Sequence, residues 1–483
     1  MANRDDATRL VWSTIERLSK LSIGAILVVA VAARLAAGLA FSAGSTDTYE
    51  FGQIAENVVD GHGYAYFPAD GDHPLPAEEA ENADDGTRWL PSAYMPPLYT
   101  YTVVAARAVA GDSTTNLVWA VRGLNLVLSC AGVVAVYALT RRLIASQRAA
   151  TLAALAFALY PPLVYGATQV SAANLYVPLE TAALLALLAA ARTPSWRPWL
   201  AAALVMGLLS LVRAEAVLLI PLVAVWLWWA SGSRRPQDPR DDRDGAPRPS
   251  RRAWLAVAFV AVAAVLPVAW LVRNTATLGE PTTTIATSGG ANLWIGNHEG
   301  ASGSQKSFEI PEAMEDEIAA LPADDDFELR REAIFRREAV DYMTGDPVGT
   351  VVRDAKKAVL LLGADVYDKR SLNPAYLGGW LALAVVGTLG LIEWWRDRRH
   401  DLATRVLVAG FLTINIAIPV VFFALARYRL PIEVTLLTFA GSWLTVRAER
   451  YRTTSSPPSA STVTSEPSVM SPSSSAMASR SAT

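Results

Sequence analysis

Ten times along this chain an apolar run gives way to a polar break, and several of the runs reach about 17–23 residues. A helix of that length crosses a hydrocarbon core of roughly 30 Å, in which every backbone group must be bonded within its own segment or a closed barrel. The pattern therefore predicts an all-α polytopic membrane protein with spans near 21–42, 119–139, 149–165, 174–191, 198–213, 214–230, 253–271, 375–395, 403–425 and 430–446. With 52% hydrophobic residues and a mean hydropathy of +0.27, the 483 residues are too apolar for an ordinary soluble protein. The first run follows about twenty polar residues with Arg4, Arg9, Arg17 and Lys20, and is read as an uncleaved span rather than a signal cut near Ala40.

Charge sorts by side. Arg141, Arg142 and Arg148 lie in one short connection, Arg192 and Arg197 in the next of the same parity. Arg234, Arg235, Arg240, Arg243, Arg248, Arg251 and Arg252 follow, then Arg396, Arg398 and Arg399, and finally Arg447, Arg450 and Arg452. Arginine in alternate loops marks the cytoplasmic side. It predicts a cell-membrane protein with both termini inside: a cytoplasmic segment 1–20, a membrane domain 21–446, a cytoplasmic linker 231–252 and a disordered tail 453–483. The outer side receives two long loops, 43–118 and 272–374, and chemistry is expected there. In YMPPLYTYTVVAARAVAG the roughly thirteen residues after Pro96-Pro97 are too short to span and read as an interfacial helix, and 347–362 reads as an amphipathic one, with a polar helix near 327–343. The stretch RNTATLGEPTTTIATSGGANLWIGNHEG reads as turns. Cys130, the single cysteine, sits inside an apolar run and offers neither an internal disulfide nor a redox site.

Residues 46–66, TDTYEFGQIAENVVDGHGYAY, open the first outer loop. Asp47 and Glu50 stand one helical turn apart and would share a face if the segment is helical, with Gly61 and Gly63 ending it. The plainer reading is an acidic helix start. Ionisable residues at membrane depth point to a site by default. Arg34, Arg122, Arg213 and Glu215 qualify, although a lone arginine can simply snorkel to headgroups. Arg427 and Arg429 in ARYRLP offer two forked donors in one tight outer loop, which suits a phosphate. Asp70-Gly71-Asp72 and Asp242-Arg243-Asp244 match an acidic metal-and-nucleotide pattern common in charged loops. His62, His73, His298 and His400 lack ligand spacing, and no glycine-rich loop follows a strand.

Taken in order, DTYEFGQIAENVVDGHGYAY, VRGLNLVLSCAGVVAVYALTRRL, ALYPPLVYGATQVSAANLY, GLLSLVRAEAVLLIP, WLVRNTATLGEPTTTIATSGGANLWIGN, REAVDYMTGDPVGTVVRDAKKAV and RYRLP resemble successive blocks of one family. These are the GT-C glycosyltransferases that use polyprenyl-phosphate sugars, in the branch of dolichyl-phosphate-mannose-protein mannosyltransferases and aminoarabinose lipid A transferases. The resemblance implies that Asp47 is the catalytic aspartate of the first loop, acting as base. The neighbouring acid common in the family is Thr48 here, with Glu50 three residues on, and the second-loop glutamate is replaced at Ala173 or Asn174. Arg427, Arg429, Arg213 and one of Lys356 and Lys357 would lie near the donor phosphate.

The expected activity is transfer of a sugar from a polyprenyl-phosphate donor to an acceptor hydroxyl of lipid, glycan or protein, on the outer side and with inversion. A phosphate leaves as a stable anion, so the chemistry needs one base and cations to hold charge, and no general acid. No cofactor is singled out, a divalent metal is left open, and no nucleic-acid partner is expected. The alternative is a transporter or flippase of lipid-linked sugar, against which stand the outer position of the charges and the lack of an internal repeat.

Overall fold

A computed structural model describes residues 2–41, 47–76, 87–193, 195–232, 249–305 and 309–455. Asp242-Arg243-Asp244, most of the linker and most of the tail lie outside the described residues. The chain enters through α1 (Ala2–Leu18) and α2 (Ile23–Ala40). The first loop carries α3 (Tyr49–Val59), a small sheet and α4 (Pro97–Ala110). The bundle continues with α5 (Thr114–Ile144), α6 (Gln147–Leu159), α7 (Pro161–Gly166), α8 (Ala173–Arg192), α9 (Trp196–Ser210), α10 (Leu219–Ala230) and α11 (Pro249–Thr277). The second loop holds α12 (Gly289–Gly296), α13 (Glu312–Ala319), α14 (Phe327–Gly345) and α15 (Pro347–Leu362). Three helices finish the bundle: α16 (Pro374–Arg396), α17 (Leu402–Val421) and α18 (Leu430–Ser455).

Among the described residues six helices, α2, α5, α8, α11, α16 and α17, are long and apolar enough to cross a membrane. The protein is polytopic and almost wholly helical, as its hydropathy requires. α11 leaves Val257, Val265, Val268 and Val272 exposed, the mark of a helix that faces lipid. The stretch 149–165 breaks at Tyr160, whose extended backbone precedes Pro161 and Pro162, because a residue before proline is driven out of the helical region. The stretch 214–230 begins as a 3₁₀ turn over Ala214–Leu218, leaving twelve residues in α10. At 1.5 Å per residue those rise only about 18 Å.

Helices approach closely where glycine removes a Cβ. A methyl group on Gly390 of α16 would collide with the Phe439 carbonyl of α18. In a bilayer such packing, rather than water exclusion, holds helices together. The charged end of α18 meets α1, where Trp12 stacks on Tyr451 and Arg148 pairs with Glu449 at 3.1 Å. The start and end of the described chain therefore share one end of the bundle.

At the other end the two long loops fold as one unit. The helical expectation missed a three-stranded antiparallel sheet in the order β2-β1-β3, with β1 Ala65–Asp70, β2 His73–Pro74 and β3 Arg88–Pro91. Asp70-Gly71-Asp72 forms its hairpin turn, Gly71 standing at φ +57°, so this acidic triplet has a local structural use. Phe67 and Leu90 pack against Ala323 and Phe327 of the second loop. SGGANLWIGN, expected as turns, is the short helix α12, whose Trp294 and Ile295 pack against Phe335 of α14. Tertiary burial overrides two glycines and an asparagine there.

Glu328 of α14 is the knot. Fully buried, its Oε1 accepts from the Ala93 amide at 2.8 Å and from the Thr287 hydroxyl, while the Thr287 amide donates to the Ala93 carbonyl at 3.0 Å. A buried donor left without its acceptor costs about 1–3 kcal/mol. Glu328→Ala, which strands two, should lower the thermal midpoint in detergent and expose both outer loops to limited proteolysis. Unchanged cleavage would show that the apolar contacts alone hold the loops together.

Candidate active site

A cavity of about 140 Å³ opens between the bundle and the outer unit. One wall is the α7–α8 connection, with Tyr165, Gln169, Ser171 and Asn174. Asn174 ties that wall, donating to the carbonyls of Gly166, Gln169 and Ser171 at 3.0, 3.1 and 3.3 Å. The facing wall is the turn between α17 and α18, with Arg427 and Arg429, and the loop before α16, with Asp368 and Arg370. Tyr49 and Tyr376 complete the rim, and Leu128, Ser129, Phe157, Val177 and Pro178 line the end nearer the bundle.

The cations have different duties. Arg429 is buried, bonded through Nε to Glu433 and through Nη1 to the carbonyls of Leu361 and Gly363 at 3.0 and 2.9 Å, and lies 4.1 Å over the Trp380 ring. Its fork is largely spent on the end of α15, so it positions the turn rather than offering a second free fork. Arg427 reaches the cavity two residues earlier, its side chain exposed and 5.5 Å from the Tyr428 ring. Its carbonyl is fixed by the Tyr176 hydroxyl at 2.8 Å. No ion pair neutralises Arg427 among the described residues; the carboxylate that bears on it electrostatically is Glu50. Arg370, not singled out from sequence, is the second accessible guanidinium. Asp368, 3.6 Å from its Nε, and the buried Asp365 shape its loop.

The acidic pair is arranged differently from the helical expectation. Asp47 precedes α3 and is exposed, its Oδ1 accepting from the Tyr49 amide at 3.0 Å, while Glu50 sits in the first turn of the helix. The two carboxylates thus reach the Tyr49 edge of the cavity by different backbone paths, and neither forms part of its lining. Tyr49 itself stands at φ +51°, a conformation that costs a bulky residue about 1–3 kcal/mol and clusters at functional sites. Burial pushes the Glu50 carboxyl above its usual range, with Arg427 pulling the other way.

Three expected cations do not reach the cavity. Lys357 is fully buried, donating to Asn297 at 2.8 Å, Asp354 at 3.0 Å and the Val421 carbonyl at 3.2 Å. Lys356 points away, 5.6 Å from the Tyr367 ring. Arg213 is locked between Glu180 and Glu215, with Asn415 at 3.1 Å and the Tyr176 ring at 5.0 Å. Nor do Arg34 and Arg122 snorkel. Arg122 donates to the carbonyls of Thr168, Gly38 and Phe41 at 3.1–3.2 Å. Among the described residues no three His, Cys, Asp or Glu side chains converge as a metal site.

Residues 95–271 match the family described as dolichyl-phosphate-mannose-protein mannosyltransferase. Over 90% of its length the chain superposes on the apo oligosaccharyltransferase of Archaeoglobus fulgidus, at 14% identity and a TM-score of 0.52. The chain has a GT-C fold. The oligosaccharyltransferase AglB of the same organism, in complex with an inhibitory peptide and a dolichol-phosphate, gives 12% identity over 89% of the chain and a TM-score of 0.52. The chain spans about half of these proteins, 52% and 51% of their lengths. ArnT from Cupriavidus metallidurans bound to undecaprenyl phosphate is 16% identical over 87% of this chain and 78% of that one, at a TM-score of 0.37. No curated protein matches the sequence. Within this GT-C fold the family match contributes the Tyr165–Asn174 wall, whereas Asp47, Arg370 and Arg427 lie outside it.

The raised Glu50 carboxyl makes a signed prediction. The folded state holds this proton more tightly than the unfolded chain, so Glu50 costs nothing below the ordinary glutamate value. The penalty grows as pH climbs from there through the raised value. Glu50→Gln should therefore leave the thermal midpoint unchanged near pH 4 and raise it at pH 7. A gain of equal size at both pH values would mean that the effect is not ionisation.

Proposed function

We propose that this GT-C protein transfers a sugar from a polyprenyl-phosphate donor to an acceptor hydroxyl on the extracytoplasmic face, with inversion. The observation that carries the reading is Arg427: a guanidinium without an ion-paired carboxylate among the described residues, opening into a cavity beside Arg370 and within electrostatic reach of the Asp47–Glu50 edge. Charge-assisted, forked donors of this kind suit the oxygens of a phosphate. The family match and the dolichol-phosphate seen in the AglB complex support the same donor class.

In the proposed reaction the acceptor oxygen attacks the anomeric carbon from the face opposite the phosphate. Asp47 takes the hydroxyl proton, the bond from the anomeric carbon to the phosphate oxygen breaks, and its electron pair stays on that oxygen. Arg427 and Arg370 hold the added negative charge as it develops. The backbone amide of Tyr49 fixes one Asp47 oxygen, and with it the carboxylate's orientation. Because phosphate is a good leaving group, the site asks for no acid on the donor side.

The test is turnover by purified protein given synthetic polyprenyl-phosphate sugars and candidate acceptors, read as release of polyprenyl phosphate. Asp47→Asn should reduce it by about 10²–10⁴-fold, the usual contribution of a general base, with the fold intact. Arg427→Ala should weaken both donor affinity and turnover. Turnover retained in Asp47→Asn would remove that residue from the role. Relocation of intact sugar lipid across vesicles without phosphate release would replace the transferase by a flippase.

A further inference from the structure

Arg34 lies inside α2 with 4% of its surface exposed, yet among the described residues no carboxylate faces it. Its Nη1 donates to the carbonyls of Ala158 and, at 3.3 Å, Ala30, and its Nη2 donates to the Phe157 carbonyl at 3.4 Å. Phe157 and Ala158 belong to the last turn of α6, so the guanidinium caps the negative end of a helix. That end carries roughly half an elementary charge. A full positive charge against half a negative one leaves a net positive field in a low-dielectric surrounding.

The remaining contact gives that field a direction. Arg34 Nε donates to the Ser129 hydroxyl on α5, and Ser129 and Phe157 both line the bundle end of the cavity. A serine oxygen that accepts from a guanidinium keeps its own proton for another partner. Among the described residues Ser129 makes no other side-chain hydrogen bond. The surrounding wall, Leu128, Phe157, Val177 and Pro178, is apolar, so a donor there stands in a setting that strengthens it.

From this arrangement we propose that Ser129, polarised by Arg34, is a second anion-binding point of the cavity that Arg427 also lines, taking an oxygen of the donor phosphate. The assignment rests on the transferase reading above. It makes Ser129 a binding residue and Arg34 a positioning residue that acts through it.

The experiment titrates the full-length protein in detergent with farnesyl monophosphate and, in parallel, with farnesol. Wild type should bind the phosphate more tightly than the alcohol. Ser129→Ala should bind the phosphate about tenfold more weakly, the worth of one charge-assisted hydrogen bond, with farnesol affinity unchanged. Ser129→Thr, which keeps the hydroxyl, should stay near wild type. Equal phosphate affinity in wild type and Ser129→Ala overturns the assignment while leaving the transferase reading in place. Wild type that fails to prefer phosphate over alcohol overturns both, and it does so before any variant is compared.

Discussion

The buried pair Arg429–Glu433 is the interaction on which the site depends. It joins the turn before α18 to the first turn of α18 itself, and the same guanidinium closes the last carbonyls of α15 and covers Trp380 of α16. Two stretches remote in sequence, the α15–α16 region and the start of α18, meet at one side chain. Breaking such a pair from one side strands a charge in a dry place, at a cost of about 3–5 kcal/mol. The geometry is therefore rigid where Arg427 leaves the turn, and Arg427 can face a cavity because its neighbour two residues on is anchored.

The distribution of positive charge follows from that rigidity. Arg213 and Arg429 carry carboxylate partners and serve the scaffold. Arg34 and Arg122 are held by backbone carbonyls, and Arg427 has no ion-paired carboxylate among the described residues. Arg34 and Arg122, buried and satisfied only by neutral oxygens, favour an anion nearby. Asp368 and Glu433 on the walls are paired with Arg370 and Arg429, whereas Asp47 and Glu50 lie by Tyr49 outside the lining, so a place for a phosphate and a place for a base are distinct.

Much of the bundle was legible because hydropathy is a one-dimensional signal: the ten apolar stretches fall largely on helix, six of them, among the described residues, on helices long and apolar enough to cross a membrane, and α14 and α15 lie where their composition puts them. What failed was local. Pro161-Pro162 split one stretch, and the alternation in AYFPAD was too short to declare a strand. The site was legible only in part, since it is assembled from contacts between distant loops. Arg427 was visible as a basic residue at a membrane-level turn, and Arg370 in DKRSLNP, four residues before a span, carries the same signal. Lys356 and Lys357 look alike in sequence, yet helical periodicity sends one outward and the other against Asn297 and Asp354. No count of charges can separate such roles before the helix's packing partner is known.

Tyr49 shows how the edge of the cavity is set. Its positive φ turns the chain sharply between Asp47 and α3, so that Asp47 caps the tyrosine's own amide instead of continuing the helix. Had α3 begun two residues earlier, Asp47 and Glu50 would have lain side by side, and two carboxylates in contact resist ionising together. Detaching Asp47 from the helix keeps it exposed, while Glu50 takes the more buried position. The strain at Tyr49 is thus the local cost of having two acids near one cavity in two different environments, Asp47 exposed and Glu50 partly buried.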